Sequence, residues 1–468
     1  MLPFSVKKYK AEMLEMLSRL IAIPSVKGKS ELNMPYGRDN FKALMFVLDQ
    51  AERMDLESVN LFGHMGYASY GHGDEVVGIL THLDVVPAGD GWETDPFEMT
   101  IKDGRAYGRG AVDDKGPAVA ALFALYAIKN NCISLGKEVR VYFGCDEESG
   151  WGDIDFYKQN YPEIDYVISP DAGFPIINRE KGLLHMEVKK AAEVMRQGVA
   201  ILDIQAGTRP NIVPATARCT LAAPVEIIRE AVRNFGIGLP AKLEVSGQDG
   251  EVQLIAKGKA AHGCHPEEGV NALAYLIAFL NTLPLANGGV EQFVYALAEL
   301  VGTDYDGRGL GIATQDENSG RLTLNLGAIS MKDGEISAKL DCRFPLSEDL
   351  DDLFEKVSAK FEEKGIQTEK LHAQPPHYVS EDSELVRSLK EVYEEYFGEP
   401  GECLCCSGAT YARAFQNSVA FGPLPLNKES TEHGPNEYIE IEDLLKLSEV
   451  LASAMIKLAA PDLNDLNI

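Results

Sequence analysis

Between Thr81 and Glu148 the chain presents THLDVVP, GRGAVDDKGP and CDEESG in that order, supplying His82, Asp84, Asp114, Glu147 and Glu148. Histidine and carboxylate side chains are the donors a two-metal hydrolase needs, with one carboxylate left over to move protons. Each motif borders an apolar run, which puts it at the end of a buried strand. In an open α/β sheet ligands bind at the carboxyl ends of strands, so this placement gathers dispersed residues into one candidate site.

The signals differ in strength. His82 follows Val76–Leu80, a short apolar run suited to a strand buried on both faces. Asp84, two residues on, shares its side of an extended segment and could accept the other imidazole N–H, which fixes the tautomer and raises ring basicity. A satisfied structural histidine would give the same triplet. Asp113 and Asp114 precede Lys115-Gly116-Pro117 and an alanine-rich helix. One aspartate can cap the helix while the other binds metal, and Asp114 is assigned as the ligand bridging two ions. Glu147 and Glu148 close the run EVRVYFGCDEE, a costly end for a buried strand unless a cation or solvent compensates. One can bind metal while its neighbour acts as general base. Asp171 in SPDAG, after the strand Tyr166–Ile168, and His433 in STEHGPNEY supply the remaining candidate ligands. Nitrogen and oxygen donors without thiolate suit two divalent ions, zinc first, with manganese or cobalt as alternatives. Two such ions about 3.5–4 Å apart can bridge and ionise a water.

The elements that must hold these residues follow from pattern and length. A chain of 468 residues exceeds one hydrophobic core. Strand and helix patterns alternate over residues 1–180, and the texture returns over 375–468 with a helix pattern at Ser383–Phe397, a short strand at Val419–Phe421 and a closing helix at Ile441–Leu458. This predicts an α/β catalytic domain, a mostly parallel sheet flanked by helices, in two chain segments. Residues 181–374 read instead as an inserted α+β domain of amphipathic strands and charged helices. Within it, Thr216–Pro224 and Ser337–Pro345 form a weak repeat, each leading into an amphipathic helix, as two similar halves would.

Composition narrows the partners. With 72 acidic against 44 basic residues the net charge is -28, which argues against nucleic acid and anionic membranes. No run reaches the roughly 20 apolar residues of a membrane span, and the N-terminus lacks the apolar core of a signal peptide. Eight cysteines are too dilute for a disulfide scaffold, and the cluster Cys403, Cys405, Cys406 lacks a second pair for structural zinc. A cytoplasmic protein with reduced thiols is expected.

At LIAIPSV, HLDVVPAGDGW, GRGAVDDKGP, CDEESG, SPDAG and STEHGPNEY the chain resembles the co-catalytic metallopeptidase family of aminoacylases, carnosinases, desuccinylases and bacterial dipeptidases, PepV-type dipeptidases above all. The resemblance spans nearly the whole chain and implies a zinc-exopeptidase-like fold. It implies His82 and Asp171 on one metal, Glu148 and His433 on the other, Asp114 between them, Glu147 as general base and Asp84 as orienter of His82. In the inserted domain RPNIVP carries Asn211, GKAAHGCHPEEGVNA carries His262 and DCRFP carries Arg343. The resemblance implies that His262 stabilises an oxyanion and Arg343 clamps a substrate carboxylate, with Asn211 and Gly408 also at the substrate. His265 is a nearby competitor of His262, and Ala409 stands where the family's substrate loop has a second glycine. A doubled lid would let one chain supply its own histidine, so a monomer is expected.

The implied reaction is hydrolysis of dipeptides bearing a free C-terminal carboxylate, by attack of a metal-bridged water. An N-acyl amino-acid deacylase or desuccinylase would use the same ions. A nucleotide site at Gly108-Arg109-Gly110 fails on spacing and on the acidic pair that follows. A catalytically silent relative is disfavoured because every expected catalytic group is present.

Overall fold

The structure, a computed structural model, describes residues 2–193, 198–235, 238–425, 428 and 430–461. The chain forms two compact units: Met1–Arg179 with Tyr378–Leu404 and Ala409–Ile468, and Glu180–His377 with Cys405–Gly408.

The first unit is built on a mixed sheet. Its central strands run Glu138–Gly144, Val76–His82, Tyr166–Ser169, Ser418–Ala420, each parallel to the next in that order. Antiparallel strands Glu57–Leu61 and Met65–Tyr70 extend one side. Parallel pairing is thus confined to the middle of the sheet, where strands are covered on both faces and need apolar residues throughout. Side chains alternate between those faces: Val77, Ile79, Val139 and Val141 enter one core, Leu80, Tyr142 and Val167 the other. The larger core lies under helices Lys10–Ile21, Arg38–Arg53, Lys115–Asn130, Glu384–Phe397 and Ile441–Ala459. Each fully buried Val, Leu or Phe there contributes about 1.5–3 kcal/mol.

Helix Lys115–Asn130 is buried almost all round, which its alanines permit by letting neighbouring helices and strands approach closely. Pro117 sits in its first turn, where no intrahelical N–H is required. Ser383 caps the helix Glu384–Phe397 by accepting from Val386 N–H.

The second unit is an antiparallel eight-stranded sheet in the order Lys242–Gln248, Glu251–Lys257, Thr216–Ala222, Ala200–Ala206, Thr323–Lys332, Glu335–Phe344, Gly182–Ala191, Gln367–Gln374. Two four-stranded halves meet where Ala200–Ala206 pairs with Thr323–Lys332 over Gln205↔Ser330 and Ala206↔Ile329. The repeat seen in sequence occupies equivalent places: Thr216–Ala222 and Glu335–Phe344 each lie second from that seam. Each leads into a helix, Val225–Phe235 or Leu350–Glu362. The halves differ in chain order, because Gly182–Ala191 enters the second half before the first is built. One difference from expectation concerns Cys405–Gly408. Strand Cys403–Cys406 pairs with Ile176–Glu180, and Lys181 N–H donates to the Cys406 carbonyl at 3.0 Å, which carries the following loop into the second unit.

Candidate metal centre and substrate-binding cluster

The sheet delivers the polar residues to one edge. His82 is the last residue of its strand, Glu147 and Glu148 follow strand Glu138–Gly144, and Asp171 follows Tyr166–Ser169. His433 comes from a loop, held at φ 59° in the left-handed region that histidine tolerates better than most residues.

Two clusters of potential ligand atoms result: His82, Asp113 and Asp171, and Asp113, Glu148 and His433. His82 Nε2 lies 3.0 Å from Asp113 Oδ1 and 3.7 Å from Asp171 Oδ2. His433 Nε2 lies 3.0 Å from both Asp113 Oδ2 and Glu148 Oε2. The residue common to both is Asp113, whereas the sequence expectation named Asp114 as the bridge. Asp114 Oδ2 instead accepts the backbone N–H of His82 at 3.0 Å, so this carboxylate turns toward the strand end. Neither aspartate caps the helix through its side chain: Asp114 occupies the cap position without a side-chain hydrogen bond to the helix.

Asp84 does more than its sequence position suggests. His82 Nδ1 lies 3.0 Å from the Asp84 carbonyl oxygen and 3.5 Å from its carboxylate. The carboxylate accepts the backbone N–H groups of Glu147 and Glu148, at 3.2 and 3.0 Å. One residue therefore orients the histidine and pins the turn that carries both glutamates.

The local chemistry fits a cation. The Asp84 carbonyl can only accept, so His82 Nδ1 carries a proton. Against the opposing effect of burial, Asp113, Asp171 and Asp84 raise the ring well above the usual imidazole range. In the neutral form that a metal ligand requires, its Nε2 lone pair faces carboxylate oxygens. That nitrogen is buried and makes a well-formed hydrogen bond to none of them among the described residues. Lone pair facing lone pair is a repulsive arrangement that a dication between them resolves. The titration of the acids gives the same picture. Burial, then the charges of Asp171, Glu148 and Asp113, raise Glu147 well above the usual carboxylate range against the pull of His82. Burial and Asp113 push Glu148 up to about 7 despite His433, and burial also raises Asp171. His433, though opposed by burial, is raised to about 11 by Asp113 and Glu148. So dense a set of acids asks for compensating positive charge. Glu148 enters one of the two ligand clusters and Glu147 stands outside both.

Sequence reasoning missed the supports. Arg109 and Glu437, each 1% exposed, form an ion pair at 2.6 Å. The Glu437 carboxylate also accepts backbone N–H groups of Gly110, Val112 and Asp113. Arg109 Nη2 donates to the His433 carbonyl at 3.2 Å, and to that of Ala88 at the same distance. The arginine weighed in sequence as part of a phosphate loop thus ties the Asp113 loop to the His433 loop. Asp153 accepts from Cys145 and Asp146 N–H and from the Tyr411 hydroxyl, at 2.7, 3.0 and 2.5 Å, steadying the end of the Glu138–Gly144 strand. Gly144 leaves room for this pair, since a Cβ there would stand 2.5 Å from Tyr411 Oη.

In the second unit, the residues expected at the substrate come together. Gly263 N–H donates to the Asn211 carbonyl at 2.8 Å, and a Cβ on Gly263 would approach Asp341 Oδ2 to 2.7 Å. This places Asn211, the His262 turn and Asp341 in one cluster. Arg343, 3% exposed, donates Nε and Nη2 to Asp341 at 2.7 and 3.2 Å, and Nη1 to the Ser407 carbonyl at 3.0 Å, next to Gly408. Its five N–H groups exceed these three bonds, leaving donors to present to a ligand. His265 N–H donates to the His262 carbonyl, and both side chains are exposed.

Comparison with known proteins agrees with this architecture. The sequence model of peptidase family M20/M25/M40 matches residues 78–457, and the chain belongs to that family. The YtjP protein of Bacillus subtilis (strain 168) is 35% identical over 432 residues, covering 91% of this chain and 92% of its own. The Beta-Ala-Xaa dipeptidase of Lactobacillus delbrueckii subsp. lactis is 33% identical over 457 residues, 96% of each chain. Human carnosine dipeptidase 1 shares the fold, with a TM-score of 0.59 and 17% identity across 97% of both chains. Among the described residues no helix is long and apolar enough to cross a membrane.

Proposed function

We propose that this chain is a metal-dependent dipeptidase that cleaves dipeptides carrying a free C-terminal carboxylate. The observation that carries the reading is the pair of ligand clusters sharing Asp113, whose members Asp171, His82, Glu148 and Asp113 act electrostatically on Glu147. Family membership and the similarity to a Beta-Ala-Xaa dipeptidase support the peptide substrate.

His82 and Asp171 would hold one divalent ion, Glu148 and His433 the other, and Asp113 both. The donor set favours zinc, with manganese or cobalt as alternatives. Ions bound there would supply Lewis-acid polarisation of the scissile carbonyl and a lowered pKa for water. Glu147 accepts the proton of the attacking water and returns it to the leaving amine. His262 donates a hydrogen bond to the oxyanion, and Arg343 grips the substrate carboxylate, a role its planar fork suits. Asn211 and Gly408 line the substrate with them. The reading further includes a monomer, to be checked by sedimentation. It also includes a cytoplasmic setting, supported by cysteines that form no disulfide among the described residues.

The test is a panel of α- and β-linked dipeptides, tripeptides and N-acyl amino acids, assayed after chelation and re-addition of zinc, manganese or cobalt. Dipeptide turnover restored by metal is expected. Turnover of acylated amino acids without dipeptides would replace this reading by a deacylase.

A further inference from the structure

The turn His262–Gly263–Cys264 folds back on its own imidazole. Cys264 N–H donates to His262 Nδ1 at 3.2 Å, and Cys264 Sγ lies 2.9 Å from the same nitrogen. A backbone N–H can only donate, so Nδ1 is the acceptor, and a neutral ring then carries its proton on Nε2. The thiol acts in the same sense. Cys264 is 6% exposed, and burial pushes its pKa up to about 11 against the pull of Arg343, so it stays an S–H donor. A thiolate would do the opposite, drawing a proton to Nδ1 and leaving Nε2 bare.

The turn is held from several sides. Gly263 cannot carry a side chain, because its Cβ would fall 2.7 Å from Asp341 Oδ2 and 2.9 Å from Asn211 Cα. Thr323 Oγ1 donates to the Cys264 carbonyl at 3.3 Å, and Ile212 bridges to His262 as an isolated antiparallel pair. The ring therefore meets the thiol on a fixed backbone.

We propose that Cys264 is a positioning residue that holds His262 as the Nε2–H tautomer, so that this histidine serves substrate as a hydrogen-bond donor and not as a base. The consequence for catalysis rests on the reading of His262 as the oxyanion donor. A growing negative charge is stabilised by Nε2–H and repelled by a bare Nε2. That interaction exists in the transition state, so its weakening lowers kcat and leaves KM in place.

The experiment uses the full zinc-loaded chain labelled with 15N-histidine, with His262→Gln to assign the resonance. Long-range proton–nitrogen correlation is expected to show Nε2 protonated and Nδ1 unprotonated at His262. Cys264→Ala keeps the backbone donor and loses the thiol. It should raise the Nδ1–H population and lower kcat about five-fold, the size of one ordinary hydrogen bond, with KM unchanged. Cys264→Ser should restore both. A wild-type His262 protonated at Nδ1 overturns the proposal, as does a Cys264→Ala enzyme with unaltered tautomer and kcat. Wild-type turnover in His262→Gln would instead remove the oxyanion reading while leaving the tautomer assignment standing.

Discussion

At Asp113 one carboxylate faces two imidazoles, with Oδ1 and Oδ2 each 3.0 Å from a histidine Nε2. A side chain so placed belongs to both ligand clusters, whereas its neighbour Asp114 spends an oxygen on the His82 backbone. Asp113→Asn should therefore empty both sites, while Asp114→Asn, whose amide oxygen can still accept from His82 N–H, should keep two ions per chain with affinity reduced no more than about 10–100-fold. Elemental analysis after dialysis separates the variants, and metal loss in Asp114→Asn alone would reverse the assignment. The paired motif offered two aspartates as candidate bridges without distinguishing them. Adjacent carboxylates look alike in sequence, and the choice is made by which way each side chain leaves the loop. A functional split of the same kind is proposed for Glu147 and Glu148. Glu147→Ala should lower kcat by about 10²–10⁴ with metal content unchanged, since it removes proton transfer and no ligand. Loss of metal in that variant would make Glu147 a ligand and require a different base.

The loops that carry Asp113 and His433 are joined by the Arg109–Glu437 pair, buried and hydrogen-bonded to backbone on both sides. Removing the carboxylate leaves a buried guanidinium uncompensated and strips an acceptor from Gly110, Val112 and Asp113 N–H. Glu437→Ala should cost about 3–5 kcal/mol in denaturant unfolding. It should also weaken metal binding about 10–100-fold, as loss of a group that orients ligands does. A variant that loses stability yet binds metal as tightly as wild type would show that the pair holds the fold and not the site. The elements themselves were legible: an unbroken apolar run such as Val76–Leu80 permits only a strand covered on both faces, and its polar end marks the site. Glu437 was not legible, because it lies 328 residues from Arg109 and nothing local distinguishes a buried carboxylate from a solvated one. The antiparallel edge strand Glu57–Leu61 escaped for a related reason: it is only half covered, so its apolar signal is diluted. Its neighbour Met65–Tyr70 is mostly buried, but Gly66, Ala68 and Ser69 keep it from reading as an apolar run.

Each of the two units has hydrophobic cores of its own, so the units are expected to unfold as separate cooperative blocks. The inserted unit was visible in sequence as a change of texture and as the repeat at Thr216–Pro224 and Ser337–Pro345. Its reordered second half was hidden, since the strand that completes it, Gly182–Ala191, precedes the first half in the chain. Every residue of the two ligand clusters, His82, Asp113, Glu148, Asp171 and His433, belongs to the first unit. Ions that bind only the native state stabilise the block that holds them, by about 4 kcal/mol when free metal exceeds its dissociation constant a thousandfold. For a block of this size that is a shift on the order of 10 °C. Scanning calorimetry should thus resolve two transitions, of which chelation lowers one and leaves the other in place. Glu437→Ala should lower the metal-sensitive transition, and a core truncation in the second unit, Phe293→Ala, should lower the other by about 3–5 kcal/mol. Should chelation move both transitions equally, or a single transition carry all the heat, the units unfold as one block and the separation of their stabilities is wrong.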